Sequence, residues 1–111
     1  MAVFAITFRL GDHGAAKSTY ETRWKSIQER IKGLAGPAWW DQTTSFYLIM
    51  YSGDANALAS AIWQRSELNY ATDLMVVINT ADTTDSAVIG KYTDSTLDVL
   101  LGAKPTDATK S

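Results

Sequence analysis

The segment Ser45-Phe46-Tyr47-Leu48-Ile49-Met50-Tyr51-Ser52 decides the fold, because it reads as a strand with no polar side. Successive side chains of a strand point to opposite faces. Phe46, Leu48 and Met50 therefore share one face, and Tyr47, Ile49 and Tyr51 share the other. An antiparallel sheet with helices on one side normally keeps its other side polar. This strand instead predicts a sheet that avoids water on both faces and needs a second cover.

Just upstream, Trp39 and Trp40 open a strand that turns at Gln42-Thr43-Thr44 into the apolar one. Neighbours on a strand face opposite sides, so one indole enters the core and the other the second face. Ala2 to Leu10 alternates with period two: Ala2, Phe4, Ile6, Phe8 and Leu10 point one way, and Val3, Ala5, Thr7 and Arg9 the other. Leu74 to Asn79 reads as a further strand, again apolar on both faces.

Two helices fit between these strands. Ser18 with Glu21 has capping-box spacing, and Tyr20, Trp24, Ile27, Ile31 and Leu34 recur at steps of four and three, the stripe of one helix face. Gly33, Gly36 and Pro37 end that helix. A second helix starts near Asp54, buries Ala55, Leu58, Ala59 and Ile62, and ends by Glu67 to Tyr70. The resulting order, strand, helix, strand, strand, helix, strand, predicts an α+β ferredoxin-like βαββαβ domain with both helices on one face of an antiparallel sheet.

Beyond it, residues 80–86 are a Thr/Asp-rich loop, and residues 87–102 fit either a short strand plus helix or one continuous helix. Residues 1–102 are thus expected to form a single domain with a C-terminal extension, and residues 103–111 a flexible tail.

Composition agrees with one packed domain. The chain has 111 residues, 46% of them hydrophobic, with four Trp; this suffices for one core and excludes a disordered chain. Having no cysteine, it has no disulfide, thiolate nucleophile or Cys-based zinc site. There is no apolar run of membrane-spanning length and no secretory leader pattern. The expectation is a cytoplasmic protein without membrane attachment. No cofactor or metal site is expected.

Net charge is −2, so the chain as a whole lacks the basic signature of a dedicated nucleic-acid binder. The charges are polarised, however. Six of the ten bases, Arg9, Lys17, Arg23, Lys25, Arg30 and Lys32, precede residue 33 alongside only three acids. They are the candidate nucleic-acid contacts, weighed against a plain solvated helix face.

Other candidates are weak. Asp12 and His13, in the loop Gly11-Asp12-His13-Gly14, are the only candidate acid–base pair, weighed against an ordinary polar loop. Asp82, Asp85, Asp94 and Asp98 match no known calcium or magnesium spacing and read as caps and turns. Trp39, Trp40, Tyr47, Ile49 and Tyr51 are the candidate interface, with base stacking on the outward aromatics as the rival reading.

The run Tyr20 to Ser52, above all Leu34, Trp39-Trp40, Thr44-Ser45 and the apolar strand behind them, resembles a group of small uncharacterised bacterial proteins. Their architecture is like that of the ferredoxin-like CRISPR-associated subunit used in spacer acquisition. The similarity covers about residues 1–80. It implies a dimeric ferredoxin-like fold, with nucleic-acid binding or metal-dependent nuclease activity. In the CRISPR-associated subunit and related toxin nucleases an Asp proposed to hold a metal sits near the end of the first strand. Here Arg9 takes its place, and a cation there repels a metal ion.

The expectation is therefore an oligomeric, non-catalytic ferredoxin-like binding module, a homodimer or higher oligomer with nucleic acid as its leading ligand. The alternatives are a metal-dependent nuclease using Asp12, or a small-molecule or protein-interaction domain that uses the aromatic second face.

Overall fold

The structure, a computed structural model, describes residues 2–11, 17–36, 39–43 and 45–110, with nothing said of the side chains of residues 17–19. Strand β1 (Ala2–Arg9) is followed by α1 (Lys17–Ala35), β2 (Trp39–Thr43), β3 (Phe46–Tyr51), α2 (Ala55–Gln64) and β4 (Leu74–Asn79). Then come β5 (Ser86–Ile89), α3 (Thr96–Leu101), β6 (Thr106–Asp107) and a 3-10 turn, Ala108–Lys110. No helix among the described residues is long and apolar enough to cross a membrane.

The sheet has six strands in the order β2-β3-β1-β4-β5-β6. Every neighbouring pair is antiparallel except β5 and β6, which run parallel. The fold is α+β, as expected, but the sheet is mixed and larger than the four-stranded antiparallel one predicted. The additional strands come from the segment after residue 80. Of the two readings open for residues 87–102, the strand followed by a helix is the one adopted.

Residues 103–110, expected to be part of a flexible tail, instead pack onto the domain. Ala87 pairs with Thr106 and Val88 with Asp107, and Ala108 is buried in the core. A two-residue strand has no periodicity to read, which is why the sequence pattern gave no sign of it.

The core lies between the sheet and helices α1 and α2. Phe4, Ile6 and Phe8 of β1 meet Ile27 and Ile31 of α1, and Leu58, Ala59 and Ile62 of α2, in one buried cluster. Burying each such aliphatic or aromatic side chain contributes roughly 1.5–3 kcal/mol. Helix α2 starts as its sequence dictates. The Asp54 carboxylate accepts from the Ala57 amide at 2.7 Å, and Asp85 accepts from the Ala55 amide at 3.0 Å, so two of the helix's unpaired donors are satisfied.

The stripe of α1 is shifted from the one predicted. Arg23, Ile27, Ile31 and Ala35 are its buried positions, while Tyr20 is 47% exposed. Arg23 enters the protein because a carboxylate waits for it. Asp73, just before β4, accepts from Arg23, from the Gly11 amide at 2.8 Å and from the Asn69 amide at 2.8 Å. A charge is tolerated in the interior when it is paired and hydrogen-bonded in this way.

Candidate functional site

Register decides which face of β3 is inward. Phe4 pairs with Ile49 and Ile6 with Tyr47, which puts Tyr47 and Ile49 among the large side chains that α1 and α2 cover. Both are fully buried, and Tyr51 packs at the edge of the same core with its ring edge-on to Phe4. The two faces of β3 are thus reversed from the expected assignment. The face without helices carries Phe46, Leu48 and Met50.

That second face is covered unevenly. At the β5 end it is closed: Val88 and Val76 are buried, and residues 91–97 stand over Leu74 and Arg9, where they form the wall of a cleft of about 260 Å³. At the β2–β3 end it is open. Trp40 and Met50 are each 40% exposed and Val3 38%, and Phe46 and Leu48 between them are half-buried. The Trp40 ring stands edge-on to Phe46 at 6.3 Å. The C-terminal segment is therefore a partial lid that leaves one aromatic and aliphatic patch uncovered.

Trp39 faces the other way, as neighbouring strand residues must, yet it is not in the core. It lies at the sheet edge, 41% exposed, with the Lys32 ammonium 4.2 Å above its ring. Lys32 also pairs with Asp41 at 3.0 Å. Nearby, burial pushes the Tyr47 phenol above its ordinary pKa, partly offset by its hydrogen bond with Gln28.

The six bases grouped by the sequence do not form one surface. Arg23 is buried against Asp73, Arg30 donates through Nε to the Ala61 carbonyl at 2.9 Å, and Lys32 is held by Asp41 and Trp39. Arg9 and Lys25 are exposed, and Lys17 lies in the first turn of α1 with its side chain outside the described residues. Asp12 and His13 also lie outside them. Among the described residues, no group of three or more His, Asp or Glu is arranged to hold a metal ion.

Of the aspartates read as caps and turns, Asp82, Asp85 and Asp94 take such positions, while Asp98 lies within α3. Asp82 accepts from the Thr84 amide and hydroxyl, and Asp94 from the Thr96 amide. Asp85 bridges the β4–β5 loop to α2, accepting from Asn79 Nδ2 as well as from Ala55. Asp98 accepts from the Tyr92 hydroxyl at 2.5 Å, and that bond pushes the phenol up to about 12.

A second cleft, about 380 Å³, was not foreseen. It lies between the connection that follows β5 and the C-terminal residues 104–110. Three of its lining residues are lysines, Lys91 from the first stretch and Lys104 and Lys110 from the second. The parallel β5–β6 pairing brings those stretches together. Since Lys91 is distant from the other two and none of the three belongs to the basic N-terminal group, charge counting along the chain could not find them.

No protein-family model matches the chain, and no curated protein or solved structure is recognisably similar to it.

Proposed function

We propose that this chain is a non-catalytic binding module that works as a homodimer or higher oligomer, with a second copy covering the open end of its sheet. The observation that carries this reading is the patch of Trp40, Met50 and Val3 around Phe46 and Leu48. Contiguous apolar surface of this kind marks an interaction site or an aggregation hazard in a soluble protein. The side chains of β1, β3 and β4 on that face include no carboxylate. Two copies can therefore meet there without burying an unpaired negative charge, while Arg9 stays at the solvated margin.

The ferredoxin-like reading belongs to the same proposal, and so do the CRISPR-associated resemblance and a cytoplasmic location. The first is supported by a central β1 flanked by antiparallel β3 and β4, with α1 and α2 packed on one face. Nucleic acid is the ligand class proposed for the assembled module. Arg9 and Lys25 are its exposed contacts, while Arg23, Arg30 and Lys32 are engaged within the protein.

Light scattering and sedimentation on the purified chain test the reading. A dimer or larger species at micromolar concentration is expected, and Trp40→Lys with Met50→Asp should shift it to monomer while the far-UV circular dichroism stays unchanged. A parent chain that is monomeric at tens of micromolar would sink the proposal. For the ligand, binding to single-stranded and duplex oligonucleotides should weaken steeply with salt. Failure to bind either at low salt removes nucleic acid from it.

A further inference from the structure

We propose that the cleft between the β5–α3 connection and the C-terminal turn is a binding site for a phosphoryl group. It does not depend on the self-association reading. Lys91 follows β5, Lys104 follows α3, and Lys110 ends the 3-10 turn, so the β5–α3 connection and the C-terminal segment together bring three lysines to one concavity. The geometry that gathers them is specific. β6 pairs in parallel with β5, and Gly90 turns the chain out of β5 at φ +99°, where its missing side chain lets it pass the Asp73 carbonyl.

Gathering three like charges costs free energy unless something negative offsets it. Two carboxylates share the cleft with the lysines and keep their negative charge, Asp107 lying in the field of Lys110. Asp98 takes the Tyr92 hydroxyl at 2.5 Å, and Asp107 takes the Thr109 hydroxyl at 2.6 Å and the Thr109 amide at 3.0 Å. Among the described residues, none of the three lysines takes part in an ion pair. Lysines thus outnumber carboxylates in the lining, which leaves an excess of positive charge there.

The ligand class follows from the donors. Lysine binds phosphate as a compact point charge. Several ammoniums around one concavity match an anion with more than one charge spread over several oxygens. The Thr93 and Ser95 hydroxyls on the rim add neutral donors. At about 380 Å³ the cleft falls within the usual range for small-ligand sites, so it has room for a phosphoryl group and a small group attached to it. The adjoining cleft shares Lys91, Tyr92 and Thr93 and adds Arg9, which gives an extended phosphate chain a second place to rest.

Such a phosphoryl group has two sources, a free phosphorylated small molecule or a nucleic-acid backbone. Amide chemical shifts of the full chain, followed by NMR, distinguish them with inorganic phosphate, pyrophosphate and a short single-stranded oligonucleotide as probes. Phosphate and pyrophosphate should produce saturable shifts centred on residues 91–95 and 104–110, and sodium chloride at equal ionic strength should not. The exposed pair Lys104→Ala and Lys110→Ala should each weaken binding about two- to fivefold, with the rest of the spectrum unmoved. If the oligonucleotide moves the same resonances more tightly than pyrophosphate does, the source is a backbone; if it moves none, the source is a free small molecule. Shifts no larger than those from chloride, or shifts that persist undiminished in the double variant, would overturn the site.

Discussion

The guanidinium of Arg23 and the carboxylate of Asp73 form an ion pair inside the protein, joining the middle of α1 to the residue that precedes β4. The Gly11 and Asn69 amides and the Thr72 hydroxyl also donate to the carboxylate, so one aspartate fixes the end of β1, the turn before β4 and the first helix. Breaking a buried pair by removing one partner leaves the other charge uncompensated and costs about 3–5 kcal/mol. Urea unfolding of Asp73→Ala and Arg23→Ala should each show a loss of that order, and the double variant less than the sum. Single losses below about 1 kcal/mol would mean that the pair is solvated.

Gly90 should be intolerant of any side chain. Its φ of +99° lies where L residues are strained, and a Cβ there would sit 2.0 Å from the Asp73 carbonyl oxygen. Gly90→Ala should lower stability by more than about 1 kcal/mol, read as a drop in Tm. An unchanged Tm would show that the β5 exit relaxes freely.

Asp85 acts as a remote cap. Replacing it with Ala removes the acceptor of the Ala55 amide while leaving Asp54 in place on Ala57, and a lost cap costs about 0.5–2 kcal/mol. Hydrogen exchange should then accelerate at the first turn of α2 and in the β4–β5 loop before it does in the sheet. Uniform acceleration throughout would contradict the local role.

Tyr92 carries a pH signature. Its hydrogen bond to Asp98 raises the phenol from 10.0 to about 12 in the folded protein. A raised pKa means that the bond stabilises the fold fully below pH 10, and that this contribution fades as pH rises from about 10 to about 12. Ultraviolet titration of tyrosinate should show, beside the buried Tyr47, a late-ionising phenol that disappears in Tyr92→Phe and falls toward the ordinary value in Asp98→Ala. A Tyr92 that ionises with the exposed tyrosines would refute the bond.

Much of this architecture is legible from periodicity. The buried face of α2, Ala55, Leu58, Ala59 and Ile62, and the bounds of β4 follow directly from spacing. The inward face of β3 does not. When both faces of a strand are apolar, alternation separates two sets without ranking them, and only the pairing of Ile6 with Tyr47 and of Phe4 with Ile49 settles the choice. Register across strands is long-range information.

Arg23 shows the same limit from another side. It sits four residues before Ile27 and eight before Ile31, on the helical stripe, but a base there reads as solvated until its distant acceptor Asp73 is known. The lysine cleft was hidden because its parts meet only through β6, and two residues are too short to leave a pattern.

The two margins of the sheet are unequal. One ends in the two residues of β6, and the other in the five of β2, whose backbone pairs on its inner side with β3 alone. A further strand could be added at length only beside β2, and two molecules joined there by a twofold axis would each use up the other's sole long border. Backbone pairing by that route alone would end at two molecules, since neither would keep a comparably long margin to offer.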